Sequence, residues 1–536
     1  MTHGTISAAQ PEAAEAGARV LMRGGNAVDA AIACALVQGV VDPQMTGVAG
    51  FGNLQVYMPS RGVHQCIDFH GKTPLAATPE MWTHLLEGET RDGFGFLLKG
   101  KVNDIGYQSV TTPGSLMAYA QAIENWGSWD WADIVAPAIA ECERGVTVRP
   151  HMHFFWTTPD LMGRAQGHER LALTKTGRAV YFRSDGNVKQ VGDRLDNPDL
   201  AATLRRIAKH GAADFYTGEI AARIAEDFAA NGGLLSERDL AEYRTTWSAP
   251  LRGSYRRWSY ATNQPPGGGV QLAEMLAILE NFDLAAIGHN SAEYLRVVAE
   301  AMKHATADKD DHVGDPAFVD VPIERLTGKA HGKACADQIR AGQKRHVTRY
   351  AGDRAESPNT THVAVVDEHG TCVTMTHSLG MPSGVITDGL GFMYNGCMGV
   401  FDPRPGRAGS VQPGKSRFSS LCPTIVFDGE DPHVVLGAPG GTQIAMGVTT
   451  VVLNVLDHGM TMTEAVSAPR FSATSDAIDV TNRIPRYVTE ELEAQGYEVI
   501  RSPFTYGIAA VHGIRIVDGK CDGGADPGHD GVALTV

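Results

Sequence analysis

The chain has 536 residues, 43% of them hydrophobic, with 46 basic and 61 acidic side chains and a formal net charge of −15. This is an ordinary globular composition, long enough for about three domains or one large fused core. Its basic residues are scattered, which removes the electrostatic footprint of a nucleic-acid binder. Its best apolar run, 30–41, is 12 residues long, holds Gln38, and is too short to span a bilayer.

The N-terminus, Met1-Thr2-His3-Gly4, has neither a basic n-region nor an apolar h-region, so no signal peptide is expected. The eight cysteines lack CxxC or metal-ligand spacing, which suits reduced, buried thiols. A cytoplasmic setting without membrane contact is the corresponding expectation.

Residues 11–23 read as a helix with Pro11 near its start and Gly24-Gly25 as its stop. Asn26 caps a second helix, 27–41, which is apolar nearly all round and therefore buried. The glycine-rich loop Thr46-Gly47-Val48-Ala49-Gly50-Phe51-Gly52 leads into a strand, 53–58. A phosphate cradle would precede a helix and carry a Lys, and this loop does neither. Helices are expected within 115–143 and 197–246. Trp126, Trp129 and Trp131 read as packing groups, and His151-x-His153 reads as a surface pair rather than a metal site. Asn263 to Gly269 forms a rigid-then-permissive turn before an amphipathic helix, 271–279. A long helix, 291–310, closes on Asp308-Lys309-Asp310-Asp311 and reads there as a solvated end.

A polar segment, 341–359, reads as a surface linker. It meets Thr360-Thr361-His362 abruptly, and two β-rich runs, 361–367 and 371–378, follow around an Asp-Glu-His-Gly turn as a hairpin. Thr-Thr at a strand start fits plain β-propensity. It also fits a second idea: if the 359–360 bond is cut, Thr360 carries hydroxyl and α-amine on one carbon, and the amine can activate the hydroxyl. Further strands are expected at 423–427 and 433–437. Then Gly437-Ala438-Pro439-Gly440-Gly441-Thr442 opens an apolar helix, 444–456. Two glycines at a helix start leave backbone N–H groups that can hold an oxyanion, or simply make a tight turn.

Together these stretches resemble the γ-glutamyltransferase (γ-glutamyl transpeptidase) family of N-terminal-nucleophile (Ntn) hydrolases. The resemblance runs in order through Gly24-Gly25-Asn26-Ala27-Val28-Asp29, Thr112-Pro113-Gly114, Pro265-Pro266-Gly267-Gly268-Gly269 and Gly314-Asp315-Pro316. It continues through Thr360-Thr361-His362, Ser419-Ser420, Pro439-Gly440-Gly441 and Ala525-Asp526-Pro527. It implies an α+β fold, the αββα four-layer sandwich of two stacked, mainly antiparallel sheets flanked by helices. It also implies self-cleavage at Asn359–Thr360 into a large portion, 1–359, with 341–359 as processing linker, and a small portion, 360–536. These would stay together as one intertwined heterodimer, which a further dimerisation could double.

Carried over by position, Thr360 is the nucleophile. Ser378 stands where the family has a supporting Thr. Gly440 and Gly441 match the oxyanion pair, and Ser419 and Ser420 match the pair that binds the substrate carboxylate, with Thr361 beside the nucleophile. The family's polar groups for the glutamyl α-amine fall at Gly380, Cys397 and Val400, so all three are lost. Its carboxylate-clamping Arg falls at Pro79, leaving His70, Lys72 or Arg417 to substitute. The resemblance implies no metal and no organic cofactor.

The leading expectation is a self-processed amidase or acylase acting through a Thr acyl-enzyme on a small amide with a carboxylate-bearing acyl group, oxamate- or glutaryl-like. A second reading is a true γ-glutamyl transferase or hydrolase acting on glutathione. A third, from another class, is a non-catalytic binding member, against which the retained Thr360, Ser378 and glycine pair argue.

Overall fold

The computed structural model describes residues 3–161, 163–349 and 360–536. Asn359 and most of the expected processing linker lie outside these residues.

Two antiparallel sheets stack face to face. The larger has seven strands, in spatial order Val532–Thr535, Gly4–Ala8, Thr361–Asp367, Cys372–Ser378, Phe51–Met58, Val63–Asp68 and Thr246–Ser248. The smaller has six: Lys520–Ala525, His512–Val517, Asp431–Gly437, Thr424–Asp428, Trp258–Thr262 and Leu251–Tyr255. Both sheets therefore combine strands from before and after Thr360. Side chains of the two inner faces, Ala261, Ala364, Val366, Ile425, Phe427, Val435 and Ile514 among them, form the middle layer of the core. Helices cover each outer face through a separate apolar cluster. This is the expected four-layer αββα sandwich.

Helix Ala27–Val41 lies on the larger sheet. Its start is fixed by a capping box: Asn26 Oδ1 accepts from the Val28 and Asp29 amides (2.8 and 3.1 Å), and the Asn26 amide donates to Asp29 Oδ2 (2.9 Å). Such a cap contributes about 1 kcal/mol. Nearly every residue of this helix is buried, as its all-round apolarity requires. The loop at 46–52 uses its glycines for close approach. A Cβ on Gly50 would meet the Ser378 carbonyl oxygen at 2.5 Å, and one on Gly52 the Thr376 carbonyl oxygen at 2.4 Å.

Three expectations are corrected. The helix read as amphipathic from Gln271 runs Gly269–Leu279 and is buried on every face. It lies under the smaller sheet and is covered in turn by Ala292–His312 and Lys329–Arg340. The acidic end of Ala292–His312 is not a solvated terminus. Asp308 and Lys309 are buried, and Asp310 pairs with Lys309 and Arg349. His151 is no surface residue; its ring centroid sits 4.3 Å from that of His529. Among the described residues no cysteine forms a disulfide. No helix among them is long and apolar enough to cross a membrane.

Candidate active site

The register of the larger sheet builds the site. Thr361 is paired with His377, so the next step outward brings Thr360 level with Ser378, and Ser378 is itself paired with Phe51. Three strand ends thus meet at one edge. Thr360 Oγ1 lies 3.0 Å from Ser378 Oγ, and Ser378 Oγ also accepts the Gly380 N–H at 2.7 Å. Either hydroxyl can donate in the Thr360–Ser378 bond. Both residues are almost fully buried.

Thr360 opens on a cavity of about 310 Å³ whose apolar wall is Phe51, Phe94, Phe96, Val400, Leu421 and Ile444. Gly380, Arg417, Ser419, Ser420 and Gly441 line it as well. Gly440 and Gly441 have φ of 144° and 57°, in the range that favours glycine. Neither amide donates to a backbone acceptor among the described residues. Gly441 packs on Phe94, whose ring carbons would lie 3.1–3.2 Å from a Cβ there. A carbonyl oxygen placed beside this turn meets free N–H groups in a largely dry pocket, the arrangement that stabilises an oxyanion.

Arg417 is a buried cation facing this cavity. It is 4% exposed, and its guanidinium stacks over Phe51 at 4.6 Å. It donates to Cys397 Sγ (3.3 Å) and to the Phe418 carbonyl (2.9 Å). Among the described residues no carboxylate lies within ion-pair distance of it. Gly380 makes the room: a Cβ there would stand 3.0 Å from both Arg417 Nη1 and Cys397 Sγ. The segment carrying Arg417 is pinned from below, since Asp315 Oδ2 accepts the Ser416 N–H at 2.7 Å. The Gly314-Asp315-Pro316 motif thus serves the site indirectly. Of the other charges lining the cavity, Arg407 and Asp311 are exposed and form no ion pair among the described residues, while Arg404, Lys309 and Arg349 are paired. Asp402 holds Arg404 at 2.7 Å. Burial works against the charge of Asp310, yet Lys309 and Arg349 outweigh it and keep its pKa below the ordinary value.

The remaining residues named from sequence separate into those near the cavity and those away from it. Ser419 Oγ lies 2.5 Å from His70 Nε2, and His70 Nδ1 lies 2.8 Å from Asp68 Oδ2. His70 is therefore the group behind Ser419, and Asp68, a residue the sequence reading missed, orients it. Ser420 Oγ donates to Gln271 Oε1 at 3.0 Å. Cys397 supports Arg417 from behind, and burial raises its thiol pKa. Lys72 does not line the cavity; its backbone bridges Thr112 and Ser416, and its ammonium lies over Tyr243 at 5.4 Å. Pro79 is likewise outside the lining. Thr361 points to the opposite face of its strand, as alternation demands. There its Oγ1 donates to Gln10 Oε1 (3.1 Å) and accepts from Gln38 Nε2 (2.9 Å). His377 donates from Nε2 to Gln38 Oε1 (2.7 Å), and burial pushes its pKa down to about 3, so it is a neutral strut. The sequence reading also missed Phe94 and Phe96, whose signal was the run Asp92-Gly93-Phe94-Gly95-Phe96.

Comparison with known proteins agrees with this geometry. Residues 13–536 match the family described as Gamma-glutamyltranspeptidase. The chain is 35% identical over 514 residues to the Acylase ACY 1 proenzyme of Pseudomonas sp. (strain V22), covering 94% of this chain and 89% of that protein. It is 31% identical over 549 residues to the Glutathione hydrolase proenzyme of Escherichia coli (strain K12), covering 98% and 90%. Among solved structures, cephalosporin acylase from Bacillus halodurans aligns with a TM-score of 0.87 at 25% identity, covering 99% of this chain and 96% of that one.

Proposed function

For a chain that belongs to the gamma-glutamyltranspeptidase family of Ntn hydrolases, we propose a self-processed acylase that removes a carboxylate-bearing acyl group, glutaryl- or oxamate-like, from a small amide. The observation that carries this reading is Arg417: a buried guanidinium without an acid partner among the described residues, in the same cavity as Thr360.

In this scheme cleavage before Thr360 frees its α-amine, whose ordinary pKa of about 7.7–8.0 leaves a useful neutral fraction near pH 7. The amine takes the proton from Thr360 Oγ as the oxygen attacks the amide carbon, and Ser378 hydrogen-bonds that oxygen. The Gly440 and Gly441 amides receive the oxyanion; one such donor is worth about 10²–10³ in rate. The protonated amine then passes that proton to the substrate nitrogen as the C–N bond breaks and the product amine leaves, and water resolves the acyl-enzyme. Arg417 pairs with the distal carboxylate of the acyl chain, while the aromatic wall covers its methylenes.

For the α-ammonium of a γ-glutamyl group, the one carboxylate in the cavity lining without an ion pair among the described residues is Asp311, which is exposed. Where relatives carry acceptors for it, this chain has Gly380, Cys397 and Val400 with the Arg417 cation beside them. The similarity to a glutathione hydrolase favours γ-glutamyl transfer or hydrolysis as a second reading. In that case the ammonium would have to compete with Arg404 for Asp402, or with Lys309 and Arg349 for Asp310. Comparing kcat/KM for glutaryl and γ-glutamyl anilides decides between the two. The acylase reading expects the glutaryl compound to win by about ten- to a hundredfold, the worth of a charge-assisted contact. A clear preference for the γ-glutamyl anilide restores the transferase.

A further inference from the structure

We propose that Asp42, His151 and His529 form a binding site for a first-row divalent cation, Zn²⁺ in the first instance, which ties the part of the chain before Thr360 to the part after it. Asp42 is the C-cap of helix Ala27–Val41, His151 stands in the first turn of helix Pro150–Thr157, and His529 closes the short turn Pro527–His529. One potential ligand atom from each lies within 4.8 Å of the other two.

Two independent features point to a ligand. The first is this convergence of two imidazoles and one carboxylate from three separate elements. The second is the state of the ring nitrogens. His151 Nε2 and His529 Nδ1 are buried without a hydrogen-bond partner among the described residues, and His529 is 4% exposed. A buried polar atom is normally paired, and an orphan is costly. Two orphans facing one carboxylate are accounted for together by a shared cation. A metal takes the neutral imidazole, the form that donates a lone pair.

The donor set selects the ion. Two imidazole nitrogens and a carboxylate suit Zn²⁺ and its neighbours, whereas Ca²⁺ and Mg²⁺ want oxygen throughout. His512, stacked on His529 with centroids 6.1 Å apart, accepts the Asp526 N–H at Nδ1 (3.3 Å). Its proton is therefore on Nε2, and it serves as a wall rather than a ligand. Charge is balanced nearby. Arg149 is held by Glu12 (2.5 Å) and Asp530 (3.0 Å) and stands 3.9 Å from Asp42 Oδ2. One dication and one guanidinium then face three carboxylates. Behind the site Gln10 Nε2 donates to Asp42 Oδ2 (2.9 Å) and Gln10 Oε1 accepts from Thr361, the residue after the nucleophile. The second convergent cluster, Glu274, Asp308 and His331, lacks this signature. There His331 Nε2 already reaches Glu274 (3.1 Å) and Asp308 (3.0 Å), a satisfied ionic cluster.

The test uses the full protein, stripped with EDTA and titrated with Zn²⁺. The wild type is expected to retain about one equivalent after dialysis. X-ray absorption of that equivalent should show two imidazoles and no sulfur at the Zn–S distance of about 2.3 Å. Asp42→Asn and the pair His151→Gln with His529→Gln should each weaken Zn²⁺ binding at least about tenfold. His153→Gln, on the same helix, should leave it unchanged. A folded wild type that keeps no Zn²⁺, a sulfur-containing shell, or equal retention by folded ligand variants would overturn the proposal. The absorption measurement needs only the wild type, so variants that fail to fold do not shield the idea.

Discussion

His70 Nε2 lies 2.5 Å from Ser419 Oγ while Nδ1 of the same ring lies 2.8 Å from Asp68 Oδ2. Asp68 can only accept, so Nδ1 carries a proton. If the ring is neutral, Nε2 is a lone pair, and Ser419 must donate to it. Ser419 then has no hydrogen to offer a carboxylate in the cavity. If the ring is cationic, Ser419 accepts from His70 and turns its own hydrogen towards the cavity.

We predict that His70→Ala, which leaves Ser419 without its partner, weakens glutarate binding about tenfold in calorimetry, while His70→Gln, which keeps a hydrogen-bonding group there, loses less. Equal losses in the two variants would sink this account of Ser419.

Arg417 should separate acyl groups by charge. Arg417→Gln is expected to lower kcat/KM for a glutaryl anilide by about ten- to a hundredfold, from the loss of a charge-assisted contact of about 1.5–3 kcal/mol. A valeryl anilide, which has the same five-carbon chain and no carboxylate, should change little. Arg417→Lys should not rescue, because the planar group is what stacks on Phe51 and reaches Cys397. A loss of equal size on both anilides would mean that Arg417 supports the cavity rather than the substrate.

Much of this was legible in the chain. The hairpin at 361–378 fixes its own register, so the meeting of Thr360 and Ser378 follows once the turn is placed. Helix Ala27–Val41 and its cap were readable because apolarity on every face admits only burial. What stayed hidden depended on partners distant in sequence. The acids at 308–311 look the same whether solvated or paired, and Arg349, which settles the question for Asp310, is 39 residues away. Arg417, His70 and Lys72 were equal candidates until the fold stacked the first on Phe51, set the second behind Ser419 and turned the third towards Tyr243. Thr361 was avoidable: strand alternation alone sends it away from its neighbour's side.

Self-cleavage follows from the family scheme and from the position of Thr360 at the cavity edge. Denaturing gels of active protein should show pieces of about 359 and 177 residues, the second being 536 minus 359. Thr360→Ala should remain a single inactive chain. Ser378→Ala should slow both maturation and turnover, since it removes the hydroxyl 3.0 Å from the nucleophile. Both sheets combine strands from the two portions, so the pieces should co-migrate under native conditions. Full activity in an uncut wild type would refute the N-terminal-amine mechanism.

The last prediction concerns acid. His304, His362 and His377 are buried neutral rings. Burial lowers His304 to about 4 and His377 to about 3, and it takes His362 well below the ordinary value of 6.5. Between these folded-state values and about 6.5 the unfolded chain binds more protons than the folded one. Stability must then rise with pH across that window and fall as the solution is acidified through it, by at most about 1.4 kcal/mol per pH unit for each ring. Glu274 opposes this. Burial raises its pKa to about 7, so the folded state holds an extra proton between roughly pH 4.5 and 7. Asp42, raised to about 6, and His331, raised to about 12, oppose it as well. The lowered rings, with His64, His151, His512 and His529 added to the three above, outnumber them and leave a net loss on the acid side. Urea unfolding at pH 7, 6 and 5 should show falling stability, and His304→Gln, which removes one ring, should flatten that slope by up to one proton. Stability that is level or rising from pH 7 to pH 5 would show that the carboxylates, not the buried imidazoles, govern the acid response.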